Sequence, residues 1–462
     1  MSLFRALNDD ILIYLLPHIS PLDARQLAMT CRTAYAYAMP RFLSEVKLGS
    51  RIPACYGDIP SMITRFCKFM LSDIARWGPC LKALDLTALL VNSFSFAMSL
   101  ATVLSYAFRL ERLYLSPCEE LFRAAPLLLD AVASLPRISD LTLAQAGSLT
   151  FGCMSRLTSR PTRICITSSS VSMGSSQSTL DILQHLPMSV ADLRIQLDCI
   201  PECESIRAGT TGVWRSIRTL ELTGPISDLS TLSQAFPNVS HLRLVRYKDA
   251  LTTKMDLNES QASSCWTRID RADIIATGMN AVPWIPIRRL HCFQLNQGWH
   301  SFLQAASPVA LTCYDHDVLS TCALDCVKGL HGVKFLQYMI MYARDASQRE
   351  QEFEVFLITK LSSLANIPLV GVALNFGTEP FTTSSCDKWF ASLVGKILPH
   401  IVYVGLPSPH GRSWTYKDDC TIFVCQWYLI ERNEGGCISA VAQLSADEGR
   451  RVHLALLEVT IE

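Results

Sequence analysis

One short apolar phrase recurs along most of the chain and limits the folds that the sequence can adopt. The phrase has the form L-x-x-L-x-L, and its last two apolar positions alternate with polar residues, which predicts a half-buried β-strand in each copy. The clearest copies are LKALDL, LERLYL, ISDLTL, IRTLEL, VSHLRL and IRRLHC, which begin at Leu81, Leu110, Ile138, Ile217, Val239 and Ile287.

The middle apolar residue of each copy, its anchor, recurs at a nearly constant interval. With the weaker copies TRICI and VADLRI included, the anchors are Leu84, Leu113, Leu141, Ile164, Leu193, Leu220 and Leu242. Successive anchors lie roughly 22 to 29 residues apart, which is the spacing of a leucine-rich repeat. Further weak copies, LVGVAL and IVYVGL, begin at Leu369 and Ile401, whereas between about residues 247 and 341 the phrase sets no register.

Segments of helical periodicity separate the strand phrases and end in a shared proline. LLLDAVASLPRI, LDILQHLPMSV and DLSTLSQAFPNV each place Pro136, Pro187 or Pro237 just before the next strand. A helix that leads back to a parallel strand predicts an α/β solenoid with a parallel inner sheet and outer helices. A doubly wound α/β sheet is the alternative, but no glycine-rich phosphate loop follows any strand.

Charge balance and cysteine content indicate which classes of partner and which cellular compartment the sequence favours. The chain of 462 residues carries 41 basic and 41 acidic residues, so there is no positive field to attract nucleic acid. Its 18 cysteines are scattered singly, which indicates reduced thiols in a cytoplasmic or nuclear protein. Asp9 and Asp10 argue against a signal peptide.

One uncharged stretch, Leu86 to Phe108, is long enough to cross a membrane. It includes Asn92 and several hydroxyl residues, and its start overlaps the first strand phrase. We therefore predict a buried strand, a turn and a packed helix here, and no membrane partner.

The first residues predict three short helices ahead of the repeats. Asn8 and Asp9 are favourable N-caps, and Pro17 should end the first helix near Leu16. The apolar stripe of this helix is Ile11, Leu12, Leu15, Leu16 and Ile19. The sequence SPLD, with Ser20 as cap, begins a second helix, and a third should end before Pro40.

This stretch resembles the F-box, a three-helix module. The resemblance is carried by Leu7, Asp10, Ile11, Leu15, Ile19, Ser20, Pro21, Asp23, Leu27, Cys31 and Arg32. Asn8 replaces the usual proline, Ala24 the usual leucine, and Tyr35 a frequent tryptophan. With the repeats that follow, the whole chain resembles the large fungal F-box family.

The resemblance implies a fold, a partner and a function. The domains would be an F-box at 1–47, a leucine-rich-repeat-like solenoid at 48–410 and a C-terminal capping segment at 411–462 that ends in an amphipathic helix. The module would dock on the Skp linker subunit of a cullin–RING (SCF-type) ubiquitin ligase, and the repeats would bind a target protein. The linker-binding residues would be Leu7, Asn8, Ile11, Leu15, Ile19, Leu27 and Cys31. An interaction scaffold with a degenerate F-box and no ligase role is the alternative.

The polar residue that follows each anchor should lie in one row on the opposite side of the sheet. This row contains Asp85, Tyr114, Thr142, Cys165, Arg194, Glu221, Arg243 and His291. Its mixed chemistry suits a protein segment better than one small molecule. By analogy with other solenoids, we predict a target-binding face at Tyr114, Thr142, Arg194, Glu221, Arg243 and His291.

The sequence carries no strong catalytic signal. It contains no G-x-S-x-G elbow, P-loop or G-x-G-x-x-G phrase. The best metal candidate is CYDHDVLSTCALDC, with Cys313, His316, Cys322 and Cys326, but its spacing matches no common zinc finger. We expect no metal, no cofactor and no catalytic residue, and a zinc- or thiol-dependent enzyme is the least favoured hypothesis.

Overall fold

The structure is a computed structural model, and its described residues form two compact units, Met1–Gly224 and Pro225–Glu462. The described residues are 11, 14–49, 59–87, 94–168, 187–197, 213–223, 229–245, 266–275, 285–293, 295, 299–315, 322–340, 355, 358–376, 386–407, 416–417, 420–421 and 425–459. Within them, no helix combines the length and apolar character that a membrane span needs.

The described part of the first unit contains seven parallel strands that lie side by side in sequence order. They are β1 Glu45–Gly49, β2 Ala83–Thr87, β3 Arg112–Ser116, β4 Asp140–Ala144, β5 Arg163–Ser168, β6 Asp192–Leu197 and β7 Thr219–Thr223. Each recurring phrase of this part therefore forms a strand, and the predicted parallel sheet is confirmed.

The second unit continues the same plan and then changes direction. Its parallel strands are β8 His241–Val245, β9 Ile269–Ile275, β10 Ile287–Phe293, β11 Ala310–Asp315, β12 Phe335–Ile340, β13 Gly371–Phe376 and β14 Tyr403–Pro407. Two short strands, β15 Tyr416–Lys417 and β16 Cys420–Thr421, pair separately. The antiparallel strands β17 Cys425–Arg432 and β18 Ile438–Gln443 extend the sheet beyond β14.

Helices alternate with most of these strands. They are α1 Pro21–Ala28, α2 Arg32–Leu43, α3 Ile59–Ser72, α4 Ile74–Trp77, α5 Ala97–Tyr106, α6 Cys118–Ala124, α7 Pro126–Ala133, α8 Ser148–Ser155, α9 Leu229–Ala235, α10 Trp299–Ala306, α11 Cys322–Val327, α12 Cys386–Ile397 and α13 Ala446–Glu458. Short 3-10 turns occupy Leu16–His18, Gly78–Cys80 and Leu361–Leu364. The two helices predicted before Pro136 and Pro237 are α7 and α9, whereas residues 180–186, predicted as a helix before Pro187, lie outside the described residues.

The anchors lie on one face of each sheet, which we call the inward face. Leu84, Leu113, Leu141, Ile164, Leu193 and Leu220 occupy one register row in the first unit, and each is at most 2% exposed. Apolar residues of α5 and α7, among them Leu100, Leu104 and Leu128, are also fully buried. The strand-and-helix interpretation of Leu86 to Phe108 is confirmed at β2 and α5, with residues 88–93 outside the described part.

A repeated pair of hydrogen bonds fixes the start of β2 to β7 and of β12 to β14. The amides of Lys82 and Ala83 both donate to the Ser44 carbonyl, at 3.0 and 2.8 Å. The amides of Glu111 and Arg112 both donate to the Lys82 carbonyl, and the same two-to-one pattern recurs at β4 to β7 and at β12 to β14. Since each of these strands binds its predecessor in the same way, each inherits the register of the strand before it.

The third N-terminal helix does not stop where the sequence predicted. The expected end before Pro40 is wrong, because α2 continues through this residue to Leu43. Proline removes one helical hydrogen bond, but Met39 and Leu43 on either side are buried and keep the last turn packed. Tertiary packing here outweighs the local cost of proline.

We expect Leu220→Ala to lower the free energy of unfolding by about 2–5 kcal/mol, because it removes buried methyl groups and leaves a cavity. Leu220 is 0% exposed in the anchor row, and urea titration of the purified chain measures the change. The matched control is Leu127→Ala, which deletes the same atoms from a side chain that is 58% exposed. Equal losses for the two variants would contradict the anchor assignment.

Candidate functional site

Short capped helices position the residues predicted to bind the linker subunit. A 3-10 turn, Leu16–His18, follows the first helical residues. It contains Pro17, which was predicted to end the first helix near Leu16. The Ser20 hydroxyl caps α1 by accepting a hydrogen bond from the Asp23 amide at 3.1 Å. Arg41 of α2 donates from Nε to the Ile19 carbonyl at 3.0 Å, and this bond ties the start of the chain to α2.

Large apolar side chains remain exposed throughout this region. Ile11 is 46% exposed and Leu15 is 47% exposed, while Met29 reaches 78%. We call the exposed residues the N-terminal apolar set, and its members are Ile11, Tyr14, Leu15, Leu22, Met29 and Tyr35. A run of exposed large apolar residues is typical of a protein-binding region.

The N-terminal apolar set only partly matches the predicted linker-binding residues. Ile11 and Leu15 belong to it, whereas Ile19, Leu27 and Cys31 are half-buried. The Cys31 thiol instead caps α2 by accepting from the Ala34 amide at 3.4 Å. Leu7 and Asn8 lie outside the described residues.

The predicted linker-binding residues did not include four members of the set, Tyr14, Leu22, Met29 and Tyr35. The signal was present at α1, where Leu22 and the C-cap residue Met29 stand seven residues apart and so share one side of the helix. Ala24 and Ala28 of the same helix are buried on the other side.

The predicted target-binding residues lie opposite the anchors, on the face that we call the outward face. Register aligns Asp85, Tyr114, Thr142, Cys165, Arg194 and Glu221 in one row of the first unit. In the second unit the corresponding row is Arg243, Asp273, His291, Thr312 and Gln337. All six predicted residues are half-buried, so each strand presents them to one side as expected.

An alternating chain of ion pairs crosses the outward face of the first unit. Arg163 lies between Asp192, with Nε–Oδ2 at 2.8 Å, and Asp140, with Nη1–Oδ2 at 3.6 Å. Arg194 lies between Asp192 at 3.5 Å and Glu221 at 3.7 Å. The sequence analysis missed Asp140, Arg163 and Asp192, which stand directly before the anchors. Their carboxylates neutralise the arginines of this face.

A different arrangement occupies the outward face of β8 to β10. Asp273 accepts hydrogen bonds from Arg271 Nη2 at 2.9 Å and Nε at 3.2 Å, and its Oδ1 lies 3.3 Å from His291 Nδ1. Burial raises the pKa of Asp273, but the bonds from His291 and Arg271 outweigh burial, and the pKa lies below its ordinary value. Asp273 is therefore ionised and fully engaged by its neighbours.

The C-terminal helix α13 covers another part of the outward face in the second unit. The predicted amphipathic helix is present, and Ser445 and Glu448 form a reciprocal capping box at its start. The helix lies against β12, β13 and β17, where the rings of Phe335 and Trp427 are 6.2 Å apart. A Cβ atom on Gly371 would meet Leu456 Cδ1 at 2.5 Å, so a larger residue there would require the Leu456 side chain to move.

The apolar core under α13 was not expected, since the sequence analysis placed the final helix at the far end of the repeats. Apolar residues at outward positions explain its location. The buried residues of this cluster are Ala310, Phe335, Ala373, Trp427 and Leu456.

The thiols near the candidate metal phrase belong to the inward core. Cys313 lies in β11, in register with Cys292 of β10 and Tyr338 of β12, and all three are buried. Burial raises the pKa of Cys292 well above its ordinary value. Cys326 is buried on α11, whereas His316 and the Cys322 side chain lie outside the described residues. Among the residues that the structure describes, no group of three or more potential ligands could hold a metal ion.

The chain was compared with known protein families and with curated protein sequences. Neither comparison finds a match.

His453 of α13 makes the covered part of the outward face sensitive to acid. Its ring centroid lies 5.8 Å from those of Phe335 and Trp427, and Nδ1 has no hydrogen-bond partner among the described residues. Burial lowers the pKa of His453 from 6.5 to about 4. Between these values the unfolded chain binds the proton that the folded chain excludes, so stability falls as the pH falls.

We therefore expect the wild type to lose stability relative to His453→Phe below about pH 6.5, with a difference on the order of 3 kcal/mol once the pH approaches 4. Above about pH 7 the difference should be constant. Urea unfolding at a series of pH values measures it, and His400→Phe, at an exposed position of the same unit, should retain the wild-type pH dependence. Parallel pH profiles for wild type and His453→Phe would refute the assignment.

Proposed function

We propose that this protein is a substrate-recognition adaptor of an SCF-type cullin–RING ubiquitin ligase. The N-terminal apolar set docks on the Skp-type linker subunit, and the outward face of the repeats binds the target protein. The observation that carries this proposal is the concentration of exposed large apolar residues between Ile11 and Tyr35, on helices with the F-box pattern.

One side of α1 packs against the rest of the chain, and its other side remains exposed and could contact a partner. In α1, Ala24 is 0% exposed and Ala28 is 6% exposed, while Leu22 is 68% exposed. Burial of one large apolar side chain contributes about 1.5–3 kcal/mol, and this gain is unrealised for each exposed member of the set. A partner that covers the set would obtain it, which supports a docking role.

In this proposal the protein is a non-catalytic subunit. Its contribution is to hold the target near a ubiquitin carrier, and orientation of reactants alone lowers a reaction barrier. The balanced charge supports proteins, rather than nucleic acid, as partners. The described cysteines are all free thiols, which is compatible with the cytoplasm or the nucleus.

The alternative is an interaction scaffold whose F-box is degenerate. Its sequence support comes from Asn8 and Ala24, which depart from the F-box pattern. Ala24 is buried within the helical packing, so this departure does not remove an exposed contact. The adaptor function is therefore the better supported of the two.

We expect Leu15→Asp to weaken binding to a purified Skp-type linker subunit at least tenfold, because a charge in a dry interface costs more than about 1.4 kcal/mol. Leu15 is 47% exposed, so the substitution leaves the folded chain intact. Isothermal titration calorimetry with the full-length chain measures the affinity.

The control for this experiment is Leu127→Asp, which introduces the same charge at an exposed leucine of α7. It should bind the linker subunit as the wild type does. If the wild-type chain does not bind the linker subunit at all, the adaptor function is wrong and the scaffold remains.

A further inference from the structure

Two buried polar atoms in one row of the outward face have no hydrogen-bond partner among the described residues. They are Nε2 of His291 on β10 and Nε2 of Gln337 on β12. Gln337 is 4% exposed, and register places Thr312 of β11 between the two residues. A buried polar group without a partner costs stability, so both atoms require an explanation.

The surroundings of Gln337 determine which of its atoms has no partner. The Thr312 hydroxyl donates to Gln337 Oε1 at 3.1 Å, which leaves the two N–H groups of Nε2. Phe335 and Met339 occupy the neighbouring outward positions of the same strand, and both are at most 1% exposed. The Gln337 amide is therefore a hydrogen-bond donor that a threonine holds beside apolar residues.

His291 is oriented from the other end of the row. Its Nδ1 lies 3.3 Å from Oδ1 of Asp273, and the ionised Asp273 can only accept a hydrogen bond. Nδ1 therefore carries the hydrogen, and the neutral ring presents a lone pair at Nε2. The ring of Tyr314 packs against that of His291 at a centroid distance of 4.9 Å. The row thus presents an acceptor at β10 and a donor at β12.

A ligand that complements this row must donate at one end and accept at the other. Strands β10 and β12 are two strand spacings apart, or about 10 Å. A single water or hydroxyl oxygen with two hydrogen bonds of about 2.9 Å spans less than about 6 Å. A carboxylate only accepts and an ammonium group only donates, so each would satisfy one end of the row. A primary amide has both functions on separate atoms, so it reaches further and suits both ends.

We propose that the outward face of β10 to β12 binds a primary amide, which is the side chain of an asparagine or glutamine of the target protein. The amide N–H group donates to His291 Nε2, and the amide carbonyl accepts from Gln337 Nε2. Asp273 and Thr312 orient these two side chains. His291 and Thr312 are half-buried, so the row is accessible from their side. This inference rests on the proposed function, because it gives the chemistry of the target segment.

Helix α10 provides an internal comparison. On its exposed side, Gln304 Nε2 lies 2.9 Å from His300 Nε2, so these two side chains satisfy one another. On the outward face, by contrast, the strand of Thr312 separates His291 from Gln337. The same pair of residue types is therefore closed in α10 and open toward a ligand in the sheet.

The test uses the full-length chain with ¹⁵N in the glutamine side chains and follows their NH2 signals by NMR. The probes are the N-acetyl N′-methylamides of asparagine, leucine and aspartate, which share one backbone and differ in the side chain. The asparagine probe should shift the Gln337 signal, which is identified by its loss in Gln337→Met. It should bind about fivefold or more tightly than the leucine probe, because leucine has a similar shape but forms neither hydrogen bond.

The variants are compared on the side of the probe, by saturation-transfer NMR. Gln337→Met should weaken binding of the asparagine probe by about fivefold or more. Gln304→Met is the matched control and should stay within about twofold of the wild type, because Gln304 already pairs with His300. Urea midpoints verify that both variants fold, and the comparison of probes on the wild type does not depend on either variant.

Equal affinities for the asparagine and leucine probes, or for wild type and Gln337→Met, would overturn the proposal, as would the absence of binding by all three probes. Tighter binding of the aspartate probe would overturn the amide assignment. Linker-subunit binding, measured on the same preparations, is independent of the probe results. Failure of the amide site is therefore distinguishable from failure of the adaptor function.

Discussion

Burial of the anchor row is the constraint on which the rest of the structure depends. Strand side chains alternate between two faces, so a register slip of one residue would turn every anchor outward and bury the charged row instead. Leu84, Leu113 and Leu141 are buried in register, and the paired hydrogen bonds to one carbonyl repeat that register from strand to strand. Tyr114, Arg194 and the other outward residues alternate with the anchors along each strand. The packing of the anchors on the inward face therefore fixes where the outward residues lie, although the outward residues are not part of that packing.

Because packing fixes the outward row, its chemistry is free to differ from one strand to the next. In the first unit, Asp140, Arg163 and Asp192 neutralise one another. In the second unit, Asp273 joins Arg271 to His291, while β12, β13 and β17 have apolar outward residues that α13 covers. The same strand plan thus presents outward faces of different chemistry. The differences arise from outward residues, which contribute little to the apolar pattern of the strands.

A strand could be predicted from the sequence only where the apolar phrase around its anchor was clear. The strands that keep the L-x-x-L-x-L phrase were found. Strand β9 aligns Ala272 in the anchor row, and β11 and β12 have leucine anchors, Leu311 and Leu336, outside any clear copy of the phrase, so the register there could not be set. The best metal candidate of the sequence begins in β11, where Cys313 is part of the inward core. The position of α13 was not predictable from local pattern, since it depends on Gly371 and Phe335, which are distant in sequence. The outward row of the first unit was predicted correctly, and that of the second unit only at Arg243 and His291, whereas the ion-pair partners required the register of the sheet.

The two sides of α1 show how a departure from a family pattern should be weighed. Ala24 replaces the usual leucine of the F-box, and it lies on the buried side, where a smaller side chain changes how closely the helices pack. Leu22 and Met29 lie on the exposed side, and no part of the described chain covers them. Packing between helices and the proposed docking on a linker subunit therefore depend on different residues. A substitution on the buried side alters stability first, and the chemistry of the proposed docking surface is set by the exposed residues.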